Sequence, residues 1–130
     1  MPRKSTIQSK WNKVATILAV RDSGGKVKCA INGCTENRKE KLIIHHRFEP
    51  FYAKGDQYKR LQTCEQNPDN CEILCKRHAE TFDKALMSLE DERLGRSPFV
   101  PDKETVKLMI LELRKKVEYE ETHYDEYEAS

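Results

Sequence analysis

The sequence predicts an α+β domain, and three observations carry that expectation. Apolar side chains recur at three- and four-residue steps over residues 5–21, 77–94 and 103–119, the spacing of one helical face. Two short segments, 26–31 and 41–48, are too brief for helices, and the second is rich in β-branched residues. The 130-residue length suits one compact domain with a modest core, one that a metal or a partner would help to hold.

The first helix, over 5–21, places Ile7, Trp11, Val14 and Leu18 on one face. Ser5 with Gln8 fits a capping box, and Gly24-Gly25 ends the segment. The strands over 26–31 and 41–48 flank Cys29-Ala-Ile-Asn-Gly-Cys34, a turn with Gly beside its second Cys. Residues 49–70 are polar, with Pro50, Gly55 and Pro68, and read as a long loop that is either functional or partly disordered. A second helix runs from Arg77 to about Leu94 on a stripe of Phe82, Ala85, Leu86 and Leu89, closed by Gly95. After a linker holding Ser97-Pro98 and Pro101, a third helix starts near Asp102 or Lys103. Val106, Met109, Ile110, Leu113 and Val117 form its apolar face, and it is expected to fray from Glu118 on.

No apolar run reaches the roughly 18 residues of a membrane span, and no signal-peptide pattern follows Met1-Pro2-Arg3-Lys4. The expectation is a cytoplasmic protein with no membrane role. Five Cys is an odd number, unsuited to a complete disulfide framework and better suited to metal. The net charge of +2 hides an asymmetry. Residues 1–60 carry 14 Lys and Arg against 5 Asp and Glu, whereas residues 61–130 carry 10 against 17. A basic front half suits an anionic partner.

Cys29 and Cys34 form one pair on a turn, and Cys75 and His78 form a second pair with two residues between. Zinc takes four such ligands in a tetrahedron, and two pairs supply it. Cys64 and Cys71 are left over, with Cys71 as the main alternative to one of the four. Two adjacent histidines, His45 and His46, end the apolar segment Leu42-Ile43-Ile44. Neighbours on a strand point to opposite faces, so one ring can face a metal while the other meets substrate. A neutral imidazole is a natural base for water near neutral pH.

Downstream lies Asn67-Pro-Asp-Asn70-Cys71-Glu-Ile-Leu74-Cys75. With Arg21-Asp22, the Cys pair, His45-His46, Pro50 and Gly55, this run resembles the zinc-containing HNH endonucleases over roughly residues 5–90. The resemblance implies a small His-Me finger, a ββα-metal core with a structural zinc knuckle, flanked by N- and C-terminal helices. The nuclease-like domain would cover residues 1–96, and residues 97–130 would be a linker, an amphipathic helix and an acidic tail. Position by position, it implies His46 as general base and Asn70 as the residue steadying the loop that carries it. His45 would bind a catalytic divalent ion, Mg²⁺, Mn²⁺ or another. Cys29, Cys34, Cys75 and His78 would bind structural Zn²⁺.

One position departs from the family pattern. Ala79 stands where a second catalytic-metal ligand is usual. Asp83, one helical turn on, is one substitute, since carboxylate suits Mg²⁺ or Mn²⁺. Alternatively His78 serves the catalytic ion, with Cys71 or Cys64 completing the zinc site. The third alternative is a degenerate site on a zinc-stabilised DNA-binding or assembly module. The expected activity is metal-dependent hydrolysis of DNA, of a kind found in small phage or mobile-element nucleases. Lys41, Arg47, Lys54, Lys59, Arg60, Lys76 and Arg77 are the candidate phosphate contacts. The helix over 103–119 is a candidate surface for a protein partner.

Overall fold

The computed structural model describes residues 3–48, 55–91 and 103–123, and the side chains of all of these except 86–91 and 103. Pro50, Lys54, Gly95 and the linker at 97–101 lie outside the described residues. The chain divides into two compact units, residues 1–30 with 35–76, and residues 31–34 with 77–130.

The first unit is built on helix α1, Lys4–Ser23, which packs on helix α2, Gln57–Gln66, and on strand β2, Cys71–Cys75. Val14, Ala15, Leu18 and Ala19 are the buried side of α1. Fully burying a side chain such as Leu18 stabilises the unit by about 1.5–3 kcal/mol. Gly24 ends α1 in the left-handed conformation, φ 62°, that a side chain would resist. Strand β1, Leu42–His46, pairs antiparallel with β2, register Leu42 with Cys75 through His46 with Cys71. All five residues of β2 are buried.

In the second unit, helix α3 (Lys76–Asp91, within this unit from Arg77 on) buries Ala79 and Phe82, and helix α4, Lys103–Thr122, buries Ile110 and Val117. The turn at residues 31–34 closes through a bond from the Cys34 amide to the Ile31 carbonyl, 3.0 Å. Gly33 is tightly placed there, with φ 89°. A Cβ at Gly33 would stand 2.9 Å from the Thr122 methyl and 3.2 Å from Glu121.

Several expectations change. Residues 26–31 form no strand. The Ala30 amide gives one bond to the Ile73 carbonyl, 2.8 Å, without a continuing ladder. The second strand of the sheet is instead Cys71–Cys75. Its continuous burial removes the polar alternation that marks a half-exposed strand. The loop contains α2, capped by the Asp56 carboxylate, which accepts from the Lys59 amide at 2.9 Å, and a 3₁₀ turn at Pro68–Asn70. Helix α1 starts at Lys4 behind Arg3 with no side-chain cap, so Ser5 lies inside it. Helix α4 continues through the acidic stretch to Thr122. Met109, expected on its apolar face, is exposed, as are Leu108 and Leu111.

Candidate metal centre

Among the described residues, two groups of side chains converge as a metal site requires. The first is Cys29, Cys34, Cys75 and His78, the four expected zinc ligands. All are buried, with ligand atoms within 4.8 Å of one another. The turn supplies Cys29 and Cys34, the end of β2 supplies Cys75, and the first turn of α3 supplies His78. Three thiolates and an imidazole are a common structural zinc set, so the residues fit the ion.

Glu121 orients the imidazole. Its Oε1 accepts from His78 Nε2 at 2.8 Å and from the Arg77 guanidinium at 2.6 Å. Burial holds the His78 pKa below its usual value, so the ring is neutral near pH 7 and Nε2 carries its proton toward Glu121. Nδ1 is then the ligand atom. Such carboxylate–histidine–metal chains fix the tautomer and raise ligand basicity. Burial pushes the Glu121 carboxyl up, but the bonds from Arg77 and His78 outweigh it and bring the carboxyl below its usual range. Nothing in the sequence sets Glu121 apart from the neighbouring acids of a stretch expected to fray.

The second group is His46, Cys64 and Cys71. Residues directly opposite on an antiparallel ladder share a face, and successive residues alternate. His46 therefore projects with its partner Cys71, while His45 projects to the other face with its partner Glu72. Both members of the latter pair are 1% exposed. From α2, Cys64 brings Sγ to 3.4 Å from His46 Nε2. The Thr63 hydroxyl donates to the Arg60 carbonyl at 2.7 Å, so toward His46 its oxygen accepts. His46 Nε2 therefore carries a proton and donates to Thr63 at 2.9 Å. Cys64 is held near a pKa of about 6 by a hydrogen bond from the Cys71 thiol and by His46, against the upward push of burial. The same bond to Cys64, and then burial, push Cys71 up.

Asn70 ties the end of β1 to the start of β2. Its side-chain oxygen accepts from the Phe48 amide at 2.9 Å, and its carbonyl accepts from the Arg47 amide at 2.7 Å. Arg21, at the end of α1, braces the same turn. Its guanidinium donates to the Pro68 carbonyl at 2.6 Å and to the Cys71 carbonyl at 2.7 Å, while Asp22 holds it from the other side.

His45, expected to hold a catalytic ion, is buried on β1. Neither His45 nor Asp83 belongs to a group of three converging ligands among the described residues. Asp83 is exposed on α3, and Ala79 is buried. His78 groups with Cys29, Cys34 and Cys75, whereas Cys64 and Cys71 group with His46. Of the basic residues, Lys41, Lys59, Arg60, Lys76 and Arg77 are exposed. Arg77 is engaged by Glu121. Arg47 is half-buried, donating to the Asp69 carbonyl at 2.7 Å and lying over the Phe48 ring.

No helix among the described residues is long and apolar enough to cross a membrane. No family model, curated protein or solved structure matches the chain.

Proposed function

We propose that this chain is a metal-stapled DNA-binding module on an HNH-like scaffold whose nuclease site is degenerate. The observation that carries the reading is the charge of the unit holding β1 and β2. It has 15 Lys and Arg against 8 Asp and Glu, while the other unit has 9 against 14. Exposed Lys41, Lys59, Arg60 and Lys76 lie on that basic unit, where they would neutralise backbone phosphates. Ala79 in place of a ligand, and a His46 ring engaged by Thr63 and Cys64, support binding without cleavage. The choice of DNA over RNA follows the resemblance.

One arrangement favours the second reading, a metal-dependent endonuclease with His46 as base. The bond between His46 Nε2 and the Thr63 hydroxyl orients the ring, as a general base requires.

Fluorescence anisotropy with duplex DNA over a range of salt, beside a plasmid-nicking assay with Mg²⁺, Mn²⁺ and Ni²⁺, separates the readings. Binding that weakens steeply with salt is expected, with no nicking. The double variant Lys59→Ala, Arg60→Ala should lower the slope of log K against log salt by about 2. Absence of binding at low salt overturns the module reading. Nicking that His46→Ala abolishes, with the metal of Cys29, Cys34, Cys75 and His78 retained, establishes the endonuclease.

A further inference from the structure

We infer that His46, Cys64 and Cys71 form a second thiophilic-metal site, one that takes Zn²⁺ on three protein ligands and keeps a fourth position open. Three different elements deliver the ligands. His46 ends β1, Cys71 begins β2 directly opposite it, and Cys64 comes from the last turns of α2. Their exposures are 7%, 0% and 0%, and their ligand atoms lie within 4.8 Å of one another.

The spacing suits a small tetrahedral ion. Metal–ligand lengths of about 2.3 Å to sulfur and 2.0–2.1 Å to nitrogen place neighbouring S and N ligands about 3.6 Å apart. His46 Nε2 and Cys64 Sγ are 3.4 Å apart already. The donor set selects the metal class. Thiolates with imidazole favour zinc over Mg²⁺ or Ca²⁺, which take oxygen, and two thiolates balance a divalent charge. The three atoms are now joined by shared protons, one from Cys71 to Cys64 and one from His46 toward Cys64 and Thr63. A cation takes the place of those protons. Two S–metal bonds and one N–metal bond form, the proton that Cys71 shares with the Cys64 thiolate leaves to solvent, and the imidazole proton passes from Nε2 to Nδ1. Cys64 and Cys71, which the four-ligand site leaves over, thereby have a use.

The inference stands apart from whether the chain cleaves DNA. It touches the endonuclease reading at one point, since a ring bound to metal through Nε2 and protonated at Nδ1 accepts no proton from water.

The test reloads the metal-free full-length chain with Zn²⁺ under reductant, removes excess by gel filtration, and counts zinc per chain by elemental analysis. Two zinc ions per chain are expected, falling to one in Cys64→Ser and in Cys71→Ser. One ion in the wild-type chain, or two retained in both variants, overturns the site. A wild-type mass short by two hydrogens from a Cys64–Cys71 disulfide under the same reductant also overturns it. A Co²⁺ titration of the wild-type chain decides the matter without any variant. Two steps of thiolate-to-cobalt absorption, in a ratio near three to two, are expected from the thiolate counts of the two sites, and a single step overturns the inference. Neither measurement reads cleavage, so failure here and failure of the proposed function are distinguishable.

Discussion

Glu121 lies 43 residues beyond His78 and yet sets which of its ring nitrogens would meet a metal. Removing the carboxylate releases the tautomer and leaves the four ligands in place. Glu121→Ala is therefore expected to weaken zinc binding roughly 10–100-fold, the usual cost of losing such a partner. Competition against a chromophoric chelator measures it, and unchanged affinity would show that packing alone sets the ring. The sequence made the four ligands legible because Cys and His in two close pairs are a compact signal. It did not expose Glu121, since Glu118, Glu120 and Glu121 are chemically alike and only the fold puts one of them beside His78. Asn70 is legible through its motif, and its side-chain oxygen accepts from the Phe48 amide. The partnership of His46 with Cys64 and Cys71 is hidden in the sequence, because only the pairing of β1 with β2 and the placement of α2 bring the three side chains together.

At the level of elements, periodicity revealed the long helices and missed the short ones. Helix α2 buries only Leu61 and Cys64, so its apolar signal is two residues three apart in a polar loop. Its clearest mark is Asp56 at the N-cap, and Asp56→Ala should destabilise the protein by about 1 kcal/mol. Urea unfolding in excess zinc reads that loss, and a shift in midpoint without a change of slope is expected. Strand β2 carries no alternation to mark it as a strand in the sequence, because every one of its residues is buried. The Cys29–Cys34 turn carries a sharper constraint. Gly33 combines positive φ with an approach too close for a side chain. Gly33→Ala is expected to cost about 1–3 kcal/mol, from left-handed backbone strain and from crowding against the end of α4. The same unfolding assay measures it. A change below a few tenths would mean that the turn relaxes freely.

For the whole molecule, a metal at the first site links Cys34 to Cys75 across about 40 residues. By the chain-entropy argument used for disulfides, such a closure restrains the unfolded chain by about 4 kcal/mol. Stability and metal content are then one quantity, because ligands that converge only in the fold turn binding energy into folding energy. Chelation is expected to lower the melting temperature sharply or to abolish cooperative melting by circular dichroism, with recovery on adding Zn²⁺. Retention of the same transition after complete zinc removal would show that the apolar core suffices. The small size and odd Cys count pointed to this dependence, and the charge asymmetry seen along the sequence becomes a basic and an acidic unit. None of the five cysteines forms a disulfide, and all five are buried. Once the chain is stripped of metal and opened, five thiols meet the oxidant together, and an odd set can never be exhausted by pairing within one molecule. One sulfur is always left to cross-link a neighbour. A ladder of covalent dimers on a non-reducing gel is thus the chemical fingerprint of metal loss, and reductant protects this protein against aggregation as well as oxidation.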